Sequence, residues 1–138
     1  MVPDEDAHPR PARSAGPARP ATLAIALGSV LGTGARALIG LALPVEAGGW
    51  PWATLAVNVL GSFVLGAVFG RADRGRAPAW LRGPGFTTGV VGSFTTFSAL
   101  AAEAAGLAPG TAVGYAAASL AGGLLAAAIG WRAGRGRP

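Results

Sequence analysis

The sequence predicts an all-α membrane protein of four transmembrane helices, with the third helix broken at its centre. Three observations predict it. Only 12% of the 138 residues are charged and 51% are hydrophobic, whereas a soluble domain carries about a quarter charged residues. The apolar residues gather into four segments, each meeting the need for about 20 residues to cross ~30 Å of hydrocarbon. The run Gly92-Ser93-Phe94-Thr95-Thr96-Phe97-Ser98 sits at the midpoint of the third segment. Polar groups at that depth must be satisfied within the protein or line a wet cavity.

Residues 1–20 are rich in Pro, Ala and Arg, with an acidic patch at Asp4, Glu5 and Asp6, and lack the apolar run that structure needs. They read as a disordered tail. A cleaved signal peptide is not expected, because the first apolar run starts only after this tail, is too long for a signal core and contains Arg36. The four-helix transmembrane domain covers residues 21–132, and 133–138 form a basic C-terminal tail.

The first span covers about Thr22 to Leu43 and the second about Trp52 to Gly70. The third covers about Gly83 to Leu107, and the fourth about Pro109 to Trp131. Trp50, Trp52, Trp80 and Trp131 fall at segment ends, where indoles favour the interface. Pro44, Pro51, Pro78, Pro84 and Pro109 mark connections or first helical turns.

Charge sets the expected orientation. With four spans, the N-tail, the second loop and the C-tail share one side. That side holds Arg10, Arg13, Arg19, Arg71, Arg74, Arg76, Arg82, Arg132, Arg135 and Arg137, and the opposite loops carry Glu46 but no Arg or Lys. By the positive-inside rule both termini are cytoplasmic. The basic balance does not point to nucleic acid, because these arginines flank apolar segments and form no continuous basic face. There is no cysteine, and His8 lies in the polar tail. Thiol chemistry, disulfides and histidine metal clusters are excluded.

Small residues recur every fourth position: Gly28, Gly32, Arg36 and Gly40 in the first span, and Gly110, Gly114, Ala118, Gly122, Ala126 and Gly130 in the fourth. Such faces let membrane helices pack closely. Asn58 and Ser62 share a face of the second span, with Thr54 extending the stripe. The Asn58 amide can donate to an anion or tie two helices together. Thr111, Tyr115 and Ser119 form a hydroxyl stripe on the fourth span that serves either an anion or its own helix backbone. At the third-span run, glycines and hydroxyls loosen the helix. A break there frees carbonyls for a cation and aims half-helix ends at the site. Phe94 and Phe97 offer electropositive ring edges, or only packing.

Two ionisable residues remain within the spans. Arg36 lies in the latter half of the first, towards the arginine-poor side. Glu103 lies near the end of the third and is read as being on the arginine-rich side, so the two are not expected to meet in one subunit. Each serves a pore mouth or snorkels to the interface. No carboxylate pair, nucleophile triad or phosphate-binding loop is present, so the chain is not expected to be an enzyme.

These residues resemble the Fluc (CrcB-like) fluoride channels. The resemblance covers nearly everything from the first span to the fourth. It rests on the glycine spacing around Arg36 and on Thr54-Leu55-Ala56-Val57-Asn58-Val59-Leu60-Gly61-Ser62-Phe63. The third block is Gly92-Ser93-Phe94-Thr95-Thr96-Phe97-Ser98, with Glu103 following. The resemblance implies an antiparallel, dual-topology dimer with two fluoride pathways. It implies pore roles for Asn58, Phe97, Ser98, Tyr115 and Ser119, and a central structural sodium ion on the main-chain carbonyls of Gly92 and Thr95. Two positions depart: Leu100 stands where the family usually has a second pore phenylalanine, and Ala99 where it usually has threonine. The ten-to-none arginine bias adds the expectation of a chain that inserts one way and pairs with an oppositely biased paralogue rather than with itself. The function implied is passive export of fluoride through the cell membrane. The alternatives are a non-conducting assembly subunit of a heterodimeric channel, or a small multidrug exporter relying on Glu103.

Overall fold

The computed structural model describes residues 19–45 and 49–136. The tail and signal-peptide expectations for residues 1–18, Glu46, and the last two residues of the chain lie outside the described residues.

Three long helices are each apolar enough to cross a membrane. They are α1 (Arg19–Ala42), α2 (Trp52–Asp73) and α6 (Pro109–Arg135). Helix α1 starts before residue 21, with Pro20 in its first turn, where a missing N–H costs nothing. Helix α6 starts at Pro109 and runs to Arg135, so most of the expected basic tail is helix. Between α2 and α6 the chain is divided into shorter pieces. They are α3 (Ala79–Arg82), a π-helical segment (Gly85–Val91), α4 (Gly92–Phe94) and α5 (Phe97–Ala105). Thr95 and Thr96 separate α4 from α5 with extended backbone, at ψ 154° and ψ 120° respectively.

Glycines decide which backbones touch. A side chain at Gly28 would collide with the Gly85 carbonyl, and one at Gly32 with the Val90 carbonyl. Helix α1 therefore lies directly on the π-helical segment, and the contacts advance together along both, so the two run parallel. The second pair is α2 with α6. Gly66 faces the Ala127 carbonyl, Gly70 the Trp131 carbonyl, Gly130 the Phe63 carbonyl and Gly134 the Ala67 carbonyl. This pair also runs parallel. Of the fourth-span row, Gly122 and Gly130 are engaged, while Gly110 faces open space, as Gly40 of the first-span row does.

The two parallel pairs are joined across α2 and the divided third segment, which run antiparallel. Gly61 admits the Thr95 methyl and the Phe94 ring. Val57, Leu100 and Tyr115 are buried at this junction, so the core sits where the third segment changes direction.

Candidate functional site

The break is held by a side chain from α2. Asn58 Nδ2 donates to the Thr96 carbonyl at 3.0 Å, and the Thr96 N–H donates to Asn58 Oδ1 at 2.7 Å. Reversing the amide would set donor against donor and acceptor against acceptor, so its orientation is fixed by its partners. Thr96 then caps α5, its Oγ1 accepting from the Ala99 N–H at 3.1 Å. Thr95 turns its hydroxyl back to the Val91 carbonyl at 3.1 Å. Two of the N–H groups that the break releases, those of Thr96 and Ala99, are thus recaptured by side chains. In a continuous helix the Thr96 N–H would bond the Gly92 carbonyl. Its diversion to Asn58 leaves that carbonyl without its helical donor.

An open cleft of about 390 Å³ lies against this break. Asn58, Gly92, Thr95, Phe97 and Ser119 line it, together with Ser62, Thr96 and Leu100. Asn58 retains one amide N–H beyond the bond it gives to Thr96. The Ser119 hydroxyl is buried and has no hydrogen-bond partner among the described residues. The Phe97 ring is 71% exposed, whereas Leu100 is buried. The cleft therefore presents neutral donors and a ring edge within mainly apolar walls.

Tyr115 is not in the cleft wall. One turn along α6 from Ser119, its hydroxyl donates to Glu103 Oε2 at 2.6 Å, while Thr54 Oγ1 donates to Glu103 Oε1 at 2.7 Å. The Trp50 ring packs edge-on against Tyr115, with centroids 5.7 Å apart. Ser98 is exposed and lies 3.3 Å from the Thr96 hydroxyl, outside the cleft lining.

Glu103 requires a correction. It lines one cavity of about 210 Å³ with Arg36, Gly40, Thr54 and Val57. The expectation that Arg36 and Glu103 occupy opposite ends is therefore overturned. Because α1 and the third segment run parallel, late positions in both fall at the same end, beside the start of α2. Glu103 and Arg36 form no ion pair among the described residues. Two hydroxyls hold the carboxylate instead.

The Thr54–Glu103–Tyr115 cluster is the part that sequence reasoning missed. Its signal was present, since Thr54 lies one turn before Asn58 and Glu103 lies seven residues after Thr96. In antiparallel segments the Asn58–Thr96 pairing places the other two opposite each other.

The sequence model for CrcB-like protein, Camphor Resistance (CrcB), matches residues 23–131. The fluoride-specific ion channel FluC of Bordetella petrii is 43% identical over 113 residues, covering 78% of this chain and 86% of that protein. The FluC of Deinococcus radiodurans is 44% identical over 117 residues, covering 80% and 92%. FluC 2 of Geobacillus kaustophilus is 43% identical over 119 residues, covering 80% and 90%.

Proposed function

The chain belongs to the CrcB-like family, and from that premise we propose that it is a subunit of a channel through which fluoride leaves the cell passively. Its named relatives are ion channels rather than enzymes. The observation that carries the reading is the cleft at the break, which brings the spare Asn58 N–H, the unpartnered Ser119 hydroxyl and the Phe97 ring together.

Fluoride is small and strongly hydrated, so crossing requires a substitute for its water shell. Neutral donors and aromatic edges supply one without a fixed charge that would trap the ion. Fluoride enters cells as neutral HF and ionises in the neutral cytoplasm. A membrane potential negative inside then drives the anion out with no coupled energy source.

In this reading the broken segment is the third of four membrane crossings, both termini are cytoplasmic, and two chains pack in opposite orientations across the open side of the cleft. The Gly92 and Thr95 carbonyls would hold a sodium ion, which would supply positive charge between the two chains. The diverted Thr96 N–H supports this, because it leaves the Gly92 carbonyl available to a hard cation. Ser98, Tyr115 and Ser119 extend the polar route, and Arg36 with Glu103 forms its mouth. The partner is a second copy or, as the arginine bias favours, a paralogue of opposite bias.

Leu100 keeps one second reading in play, a subunit that assembles but does not conduct. The exporter reading is disfavoured, because both Glu103 oxygens are already bonded by hydroxyls. Reconstitution into liposomes with a fluoride electrode tests the proposal, using the chain alone and with a reverse-biased partner. Efflux that is lost on Asn58→Asp and Phe97→Ile supports a conducting subunit. Efflux that survives both substitutions supports the assembly subunit.

A further inference from the structure

At the end opposite the Arg36 cavity, parallel packing of α2 on α6 brings two helix C-termini side by side. Gly70 lies on the Trp131 carbonyl and Gly134 on the Ala67 carbonyl. Arg71 and Arg74 therefore stand beside Arg132 and Arg135, and the short return through α3 adds Arg76 and Arg82. Two of these six have internal roles. Arg135 pairs with Asp73 at 3.2 Å and lies over the Trp131 ring at 4.4 Å. Arg76 donates to the Arg135 carbonyl at 3.3 Å, closing the end of α6. Arg71, Arg74, Arg82 and Arg132 are exposed and have no carboxylate partner among the described residues. The two helix C-termini carry only partial negative charge, about half a unit each. The arginines exceed what the fold itself neutralises.

Their setting selects the ligand. Trp80 is 66% exposed and Trp131 is 40% exposed, and the bare side chains of Phe69 and Ile129 continue from them towards the middle of α2 and α6. Arg82 and Arg132 lie within two residues of Trp80 and Trp131 in the chain, and the Arg135 guanidinium lies over the Trp131 ring, with apolar surface adjoining. A soluble anion would use only the charged half of this surface. A lipid would use both, its phosphate in bidentate contact with arginine and its chains along the helices. We propose that this arginine ring is a binding surface for anionic phospholipid headgroups. It rests on the membrane-spanning reading but not on fluoride conduction.

The test is indole fluorescence of the reconstituted full chain carrying Trp52→Phe, which removes the exposed indole at the far end. Vesicles of phosphatidylcholine with a minor share of phosphatidylglycerol carry bromine on the chains of one lipid or the other. Brominated phosphatidylglycerol is expected to quench Trp80 and Trp131 about threefold more, mole for mole, than brominated phosphatidylcholine. Salt should weaken the preference, with inorganic phosphate no more effective than chloride at matched ionic strength. R74Q/R82Q/R132Q should lose most of the preference, and the matching lysine variant, which keeps the charge without the bidentate fork, should keep part of it. Equal quenching by the two lipids in the parent protein overturns the proposal, whatever the variants do. Fluoride efflux is measured separately, so either result leaves the channel reading to its own test.

Discussion

Asn58 grips both backbone polar groups of one residue: its amide donates to the Thr96 carbonyl at 3.0 Å and accepts from the Thr96 N–H at 2.7 Å. The residue that supplies a donor to the cleft is thus also the clasp that keeps the third segment open at Thr95 and Thr96. Structure and proposed conduction share one side chain, and substitutions there separate by which atom they remove.

Asn58→Leu leaves a buried N–H and carbonyl unpaired. Each such loss costs about 1–3 kcal/mol, with values in membranes towards the low end. We expect a lower midpoint of thermal unfolding in detergent and no fluoride efflux. Asn58→Asp keeps an acceptor for the Thr96 N–H but sets an oxygen against the Thr96 carbonyl and adds negative charge beside the cleft. It should retain more stability than the leucine variant and still lose efflux.

Thr96 caps α5 through its hydroxyl. Thr96→Ser preserves the acceptor and is expected to match the parent protein in unfolding and in efflux. Thr96→Val removes it and should cost about 1 kcal/mol. Hydrogen exchange of the first turn of α5, compared between the two variants, reads the loss where it occurs.

The Glu103 carboxylate is satisfied by Thr54 and Tyr115. Removing one hydroxyl leaves half of a charge-assisted arrangement, so Tyr115→Phe should destabilise by about 1.5–3 kcal/mol. Thr54→Val, which keeps shape and also deletes a hydroxyl, should cost a similar amount. The double variant should cost less than the sum, since both act on one carboxylate. Chemical or thermal unfolding of the four proteins closes that cycle.

Glycine positions fall into two classes that sequence spacing alone cannot separate. Gly66 and Gly130 face carbonyls of the opposing helix, so Gly66→Ala or Gly130→Ala must push α2 from α6, at about 1–3 kcal/mol or more. Gly110 faces open space on the same row, and Gly110→Ala should leave unfolding unchanged or raise its midpoint. Unfolding measured in one detergent distinguishes the two classes directly.

Much of this was legible because long helices are written in apolar length and proline position. The spans read from Thr22, Trp52 and Pro109 begin at or within three residues of α1, α2 and α6. Within the hydroxyl run at residues 92–98, α4 ends at Phe94 and α5 begins at Phe97. What the sequence did not disclose were choices made between segments. Nothing local in Gly85-Phe86-Thr87-Thr88-Gly89 separates a π-helical turn from an α-helical one. What is particular to this segment is the close approach of α1, whose Gly28 and Gly32 lie on it. The partner of Asn58 was hidden because a backbone peptide has no sequence signature. Glu103 was assigned to the wrong end, although thread direction alone decides it: a third crossing finishes where the first one does.

Arginine placement bears on how the chain is assembled. All six arginines described between residues 71 and 135 lie at the end where α2 and α6 terminate, and Arg36 is the one described arginine in the body of a helix. Reversing the chain in the membrane would carry that whole end across the bilayer, against a bias that short loops obey strongly. A self-paired antiparallel dimer needs half of its chains to do so. Expression of this chain alone, with a reporter at its C-terminus, is expected to give one orientation, with the C-terminus inside. Co-expression with a homologue of opposite arginine placement should raise fluoride efflux well above that of either chain alone. Equal amounts of the two orientations would show that the chain supplies its own partner, and R74Q/R76Q/R82Q should move the parent distribution towards that outcome.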